Sequence, residues 1–473
     1  MTRTTVRRAF QKVVLAGALA MSPMMAMAES LADALASAYE HSGLLEQNRA
    51  LLRAADEDVA VAVAALRPII SWSASFSRSF GSAVAYNSAK DKYQRSGFVD
   101  NQAEFAVSAS LLLYDFGASR LKIEAAKETV LATRESLVSL EQQVLLRALT
   151  AYVNVQRESE TVSLRQNNVR LVQRELRAAQ DRFEVGEVTR TDVSLAEARL
   201  ASSRANLALA EGNLLRAIEE YRASVGQKPG NLQAINRLPD IERNLDKAKA
   251  IAPRTHPDMR EMQYEINAAE LNVKRADAGM KPTVNLTGRV SKTGEFESRA
   301  STDGRSISLD FGGPIYRGGE LSALARQAIA RANAARAGLH VVKQQVALNV
   351  GNAMAGLSVA TASIEATERQ IRAARVAFQG VREEASLGQR TTLDVLTAEQ
   401  DLLDAETSYT SAVADRTIAA YEVLAAMGLM TAKHLGLNVQ QYDPSEYYKL
   451  IQSAPVKSLQ GEKLDRILRR IGD

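Results

Sequence analysis

The chain has 473 residues, only 5% of them aromatic and 10 of them proline, and it contains no cysteine. That absence excludes disulfides, thiol catalysis, cysteine-based zinc sites and a lipid-modified N-terminal cysteine. The formal charge of +4 belongs to the leader: without Arg3, Arg7, Arg8 and Lys12 the 59 basic residues become 55, equal to the 55 acidic ones. Bulk charge therefore lends no support to nucleic-acid binding.

Residues 1–28 read as a secretory signal peptide. A basic segment to Lys12 precedes the apolar stretch Val13 to Met21, and Ala26-Met27-Ala28 fits a small-residue cleavage site between Ala28 and Glu29. An uncleaved anchor helix fits less well, because the apolar stretch is short and Ser22-Pro23 interrupts it. No later segment approaches the ~18–20 apolar residues of a spanning helix. The mature chain is thus expected to be exported, and either soluble or a membrane β-barrel.

Two alternating segments come next. Ile70, Trp72, Ala74 and Phe76 interleave with Ser71, Ser73, Ser75 and Ser77; Phe105, Val107, Ala109, Leu111 and Leu113 interleave with residues such as Glu104, Ser108 and Ser110. Period-two alternation predicts strands with one apolar and one polar face. Asn101 to Glu104 and, later, Thr302-Asp303-Gly304 read as loops connecting strands. Trp72, Phe76 and Phe80 suit either lipid contact or sheet packing.

From Ala118 to Val185 there is neither Gly nor Pro, and strong helix formers dominate. As one helix this stretch spans about 100 Å. Two adjacent columns of apolar residues recur in sevens: Val130, Leu137, Val144, Ala151 and Leu131, Val138, Leu145, Tyr152. Such a broad stripe suits a supercoiled helix packed on two neighbours. After Gly186 a returning helix runs to about Ser224, so the segment folds into a hairpin.

The same plan is then repeated. His256-Pro257 reads as the start of the second half's first helix. Val284, Leu286 and Val290, then Ile307, Leu309 and Phe311, alternate with polar residues as strands. Glu320 to Leu387 is the second long stretch, weakened by four glycines, and after Gly388 a returning helix reaches about Met427. Val185-Gly186, Asp192-Val193 and Ala196-Glu197 match Leu387-Gly388, Asp394-Val395 and Ala398-Glu399 at an offset of 202. Leu66-Arg67-Pro68 matches Met280-Lys281-Pro282 at 214, so the first half carries 12 more residues between the two sets of markers. The organisation predicted is a leader (1–28), a first repeat (29–228), a linker (229–244), a second repeat (245–430) and a C-terminal segment (431–473).

Four strands cannot close a membrane barrel, because known barrels start near 8 strands and an open edge in lipid leaves backbone groups unpaired. Copies of the chain must pool their strands: two copies give 8 strands with an interior filled by side chains, and three give 12 with room for a lumen. Helices of about 100 Å exceed a ~30 Å bilayer and must project into the periplasm. The fold class expected is mainly α with a small β part.

With strand pair, long helix, Val-Gly-x5-Asp-Val tip and returning helix given twice, the chain resembles the TolC family of outer-membrane channels. The tail, Leu435-Gly436-Leu437 and Tyr442-Asp443-Pro444 to Tyr447-Tyr448, resembles members that serve type I protein secretion. The resemblance implies a homotrimer in the outer membrane of a Gram-negative bacterium. Its 12-stranded barrel would continue as a periplasmic helical tunnel, with the linker and C-terminal segment at the waist. It also implies a passive, non-enzymatic duct without cofactor or metal. Its partners would be outer-membrane lipid, a periplasmic adaptor and an inner-membrane ABC or proton-driven transporter. Type I secretion is the first reading and small-molecule efflux the alternative; a periplasmic coiled-coil adaptor fits poorly with duplicated strand pairs.

Matched residue by residue, the resemblance places a periplasmic gate at Asp394, Arg390, Asp192 and Thr191. It places adaptor docking at the hairpin tips Val185, Gly186, Leu387 and Gly388. Thr397 and Ala385 stand where the family's best-known type has a second aspartate and a tyrosine, so a single carboxylate ring and a weaker latch are expected. Three Asp394 carboxylates around one axis would attract cations. Independently, Thr189-x-x-Asp192 and Thr391-x-x-Asp394 read as capping boxes that start the returning helices.

Overall fold

The computed structural model describes residues 29–296 and 300–452. The predicted leader, Ala28 included, and the tail past residue 452 lie outside the described residues. Ser30 opens α1 (Leu31–His41): its hydroxyl accepts from the Asp33 N–H while the Asp33 carboxylate accepts from the Ser30 N–H. α2 (Gly43–Ala64), β1 (Ile69–Asn87) and β2 (Lys92–Tyr114) follow. The stretch without Gly or Pro is one helix, α3 (Ala118–Glu184), of 67 residues, and α4 (Arg190–Val225) returns from it.

The second repeat consists of α5 (Leu245–Thr255), α6 (Pro257–Ala278), β3 (Thr283–Glu295), β4 (Ser301–Gly312), α7 (Glu320–Ser386) and α8 (Thr392–Ala426), with α9 (Pro444–Gln452) after it. α1, α2 and the start of β1 map onto α5, α6 and the start of β3 at an offset of 214. α3 maps onto α7 at 202 at both ends, and α4 onto α8 to within one residue. The offset changes only between the start of each strand pair and the following long helix, where the longer β1–β2 hairpin outweighs a shorter connection to α3 and leaves a net 12 extra residues.

Three expectations are corrected here. His256 is not where the second repeat's helices begin: it is the C-cap of α5, and Pro257 opens α6, where its missing N–H would have had no helical partner anyway. Asn101 to Glu104 lie inside β2, paired with Arg78 to Ser75, and the connection is the turn at 88–91. Thr302-Asp303-Gly304 lie inside β4, paired with Thr293, Lys292 and Ser291. Clustered polar residues imitate a loop in sequence; here they stand in ladders, Asn101 to Glu104 against β1 and Thr302 to Gly304 against β3. The four glycines of the second long stretch leave α7 unbroken, each weakening of about 1 kcal/mol being spread over 67 residues.

The strands form one antiparallel sheet in the order β1-β2-β3-β4. Residues opposite one another share a face, so Trp72, Val107 and Val290 lie together, as do Leu111, Leu286 and Leu309. Trp72 is 72% exposed and stacks on Phe105 at 6.3 Å. The opposite face carries Ser71 and Ser108, hydrogen-bonded at 2.9 Å, and the Arg289–Glu104 ion pair at 2.6 Å. β1 and β4 each have a partner strand on one side only. Beyond the last β2–β3 rung, Gln102↔Glu295, the longer hairpin continues as a two-stranded ribbon.

The described residues divide into two compact units, each drawing on both repeats. In the unit of Gln47–Val138, Pro257–Gln345 and the residues from Tyr442 on, the sheet accompanies a core of Leu52, Val59, Ala62, Ile123 and Val130. Tyr442 and Tyr448 of the tail pack against this core. Arg134 holds the tail there: it donates to the Pro444 carbonyl at 3.2 Å and lies 5.5 Å from the Tyr448 ring centre. Beneath it, the fully buried Asp56 sits 3.8 Å from the same guanidinium, and burial pushes its carboxyl up. The other unit, with residues to Glu46, Ser139–His256 and Val346–Gln441, buries Leu145, Leu149, Tyr152, Tyr221, Leu424 and Met430 completely. Of the apolar columns predicted on α3, Val130, Val144, Leu145, Ala151 and Tyr152 are buried.

Candidate functional site

The two hairpin tips share one local construction. α3 stops because Gly186 adopts φ +79°, which an L side chain resists; the Gly186 N–H then reaches the Phe183 carbonyl at 3.0 Å and the Glu187 N–H reaches Arg182 at 2.9 Å. α7 stops likewise at Gly388, φ +76°, with Gly388 donating to Ala385 at 3.1 Å and Gln389 to Glu384 at 2.9 Å. Val185 and Leu387 are 72% and 75% exposed beside these glycines.

Each returning helix starts with the predicted capping box. The Asp192 carboxylate accepts from the Thr189 N–H at 2.9 Å and from its hydroxyl at 2.8 Å, while the Asp192 N–H donates back to that hydroxyl at 3.3 Å. Asp394 repeats this on Thr391 at 3.0, 2.9 and 3.2 Å. The backbone N–H and then the hydroxyl of the capping threonine hold each carboxyl below the usual carboxylate range. Both aspartates are therefore ionised at neutral pH, at the positive end of a helix. Thr191 is exposed.

The tips differ in one ion pair. Arg390 donates from Nε to Glu384 at 2.9 Å, bracing the second turn from α7 to the loop before α8. At the corresponding positions the first tip has Val188 and Arg182, which form no such pair. The pairing carboxylate is thus Glu384, while Asp394 belongs to its cap.

Behind the tips, Val169 and Val172 of α3, Ala196 and Leu200 of α4 and Leu396 of α8 form one core. Phe378 and Ala385 of α7 with Val395 of α8 form another, on which Leu171 of α3 also packs. Ala385 is 6% exposed and fills this core. Between α3 and α8 the buried Asn168 donates to Glu399 at 2.7 Å. The second Glu399 oxygen is buried and accepts no hydrogen bond. Burial pushes this carboxyl up to about 7, against the Asn168 bond; Glu175 raises it further, and Arg199 and Arg174 oppose. Sequence reasoning missed this pair. Glu399 stood out as a repeat marker, but its counterpart Glu197 is exposed, so the pattern carries no sign of burial.

No group of three or more potential metal ligands occurs among the described residues, and no described helix is long and apolar enough to cross a membrane.

Comparison with known proteins adds to this geometry. A family model described as "Outer membrane efflux protein" matches residues 34–227 and 251–429, one span in each repeat. The outer membrane efflux protein BepC of Brucella suis is 35% identical over 456 residues, covering 95% of this chain and 97% of that protein. The proteases secretion protein PrtF of Dickeya chrysanthemi is 22% identical over 455 residues, 94% and 96% of the two chains. Among solved structures, the Campylobacter jejuni CmeC outer membrane channel superposes with a TM-score of 0.73 at 17% identity, covering 89% of each chain.

Proposed function

This chain belongs to the outer membrane efflux protein family, the TolC-type channels of the Gram-negative outer membrane, and from that premise we propose that three copies form a passive exit duct. The observation that carries this reading is the four-stranded sheet, with one apolar and one polar face and both edges open. Three such sheets make 12 strands, with apolar faces to lipid and the Ser71, Ser108 and Arg289 face to a wet lumen. The long helices continue the passage into the periplasm. There the tips, through Asp394, Arg390, Asp192 and Thr191, restrict it until a periplasmic adaptor and an inner-membrane ABC or proton-driven transporter engage the exposed Val185-Gly186 and Leu387-Gly388 turns. The transporter supplies the energy, and the duct carries out no catalysis.

For the cargo, small-molecule efflux ranks first, supported by the 35% identity to BepC across 95% of the chain. Protein secretion is the second reading, favoured by the Tyr442 to Tyr448 tail and by the full-length similarity to PrtF. Mass measurement of the detergent-solubilised protein is expected to give three chains, and a water-soluble monomer that inserts into no bilayer refutes the duct. Deleting the gene is expected to increase sensitivity to toxic small molecules; lost protein secretion with unchanged sensitivity reverses the order of cargoes.

A further inference from the structure

The most densely bonded single residue near the start of the described chain is Glu29. Its N–H donates to the Asn231 carbonyl at 2.9 Å and its carbonyl accepts from the Gln233 N–H at 3.0 Å, a parallel β-bridge against Leu232. The Tyr152 hydroxyl also donates to the Glu29 carbonyl, at 2.9 Å. The side-chain carboxylate accepts from the Tyr221 hydroxyl at 2.6 Å, from Gln227 Nε2 at 2.9 Å and from the Gly230 N–H at 3.2 Å. Both tyrosines are completely buried, and the Tyr152 and Tyr221 ring centres lie 6.3 Å apart.

This is more recognition than one residue at the entrance to a helix requires. Ser30 and Asp33 already satisfy the first turn of α1 by themselves. The socket acts on Glu29 alone, from three separate parts of the chain: Tyr152 on α3, Tyr221 on α4, and the segment 227–233 that leads out of the first repeat. Without Glu29 the Tyr221 hydroxyl loses its acceptor in a fully buried position. Processing on the C-terminal side of Glu29 is therefore disfavoured by the fold. The small-residue pattern Ala26-Met27-Ala28 favours a cut immediately before it. The geometry favours keeping Glu29, and the sequence pattern puts the cut at the bond before it.

We propose that Tyr152, Tyr221, Gln227 and the 230–233 segment form a binding site for the free N-terminal glutamate of the mature chain. A leader peptidase adds water across the Ala28–Glu29 amide; Ala28 departs with the new carboxylate, and the Glu29 nitrogen takes up protons as an ammonium. One N–H of that ammonium remains on the Asn231 carbonyl, at a residue that is half-buried. Capture of a terminal amine by a backbone carbonyl beside a side-chain pocket is an established recognition mode. The consequence is closure of the first repeat upon its own beginning. α1 is pinned to α3, α4 and the inter-repeat segment at the residue that processing exposes.

The test uses the full-length protein expressed with its leader and purified from outer membranes. Intact mass is expected to show a chain beginning at Glu29; any other N-terminus overturns the proposal. The α-amine is then acylated at neutral pH in folded and denatured protein. Folded protein is expected to react at least about tenfold more slowly, because the amine is released only by local opening. Equal rates overturn the proposal. Tyr221→Phe keeps the ring and removes only the hydroxyl, so it is expected to fold while losing most of that protection, as is Gln227→Ala. Protection unchanged in both variants, with folding checked by circular dichroism, shows that the amine is shielded by something other than this socket.

Discussion

Replacing Glu399 by glutamine tests whether a buried carboxyl between α3 and α8 makes the helix-hairpin region sensitive to pH. In the folded chain this group titrates near 7, against an ordinary value of 4.5. A carboxyl whose folded value is raised binds its proton more tightly folded than unfolded, so stability is greatest below the unfolded value. It falls as pH rises from about 4.5 to about 7, and is level above that. The full difference corresponds to about 3 kcal/mol, and the side chain, 5% exposed, has little solvent to screen it. Glutamine still accepts the Asn168 hydrogen bond through its carbonyl oxygen. Its NH2 takes the place of the unbonded oxygen, at a cost of about 1–3 kcal/mol that does not depend on pH. The informative quantity is therefore the change in the gap between the two proteins. From pH 5 to pH 8 thermal unfolding should shift in favour of Glu399→Gln by the equivalent of up to about 3 kcal/mol. Parallel unfolding curves across that window would refute the reasoning, whatever their separation.

Asp394→Ala is expected to weaken block of reconstituted channels by divalent cations. Thr391→Ala, which loses about 1 kcal/mol of capping but keeps the carboxylate, should leave block intact; equal block in wild type and Asp394→Ala shows that Asp394 only caps α8. Arg390→Ser is expected to raise single-channel conductance and Glu384→Gln to raise it similarly, since both remove the same ion pair; unchanged conductance dismisses that pair as a latch. Deleting Ser82–Asn87 together with Lys92–Gly97 removes equal even lengths from both strands and keeps every side chain on its face. Assembly measured by native mass should survive, because β3 pairs with none of these residues; loss of assembly would mean that the ribbon takes part in subunit contacts.

Much of the fold was legible because its signals are local and repeated. The absence of Gly and Pro from Ala118 to Val185 predicts α3 almost to the residue, and the Thr-x-x-Asp spacing predicts both caps bond for bond. What escaped depends on partners far away in the chain. Asn101 to Glu104 look like a loop until Arg78 to Ser75 are known to lie opposite. Glu399 looks like any helix-surface acid until Asn168, 231 residues earlier, is seen to cover it. The tail motif Tyr442 to Tyr448 was noticed as a pattern, but its physical task, covering the α2–α3 core under the hold of Arg134, appears only in three dimensions. Periodicity reports which face of an element is apolar; it says nothing about which polar residue on that face has been given a partner.

The duplication separates what folding requires from what function has added. Both tips stop a 67-residue helix with a left-handed glycine and restart the chain with the same threonine–aspartate box. That shared part is sufficient to make a hairpin, so neither aspartate needs a channel to explain it. The Arg390–Glu384 pair goes further. It is exposed, it occurs at the second tip alone, and the first tip turns as tightly with Val188 and Arg182 in the same places. Exposed ion pairs contribute little to stability, so the turn does not depend on this one, and control of the tip is the role proposed for it. By the same comparison Glu399 is buried where Glu197 is exposed, and it joins α8 to the other repeat's long helix. Both departures from the repeat lie in the second hairpin and its attachment to the first. If the tip moves, α7 and α8 are therefore the elements whose charges govern the movement, and substitutions at Glu384, Arg390 and Glu399 should alter it more than substitutions at Arg182, Val188 and Glu197.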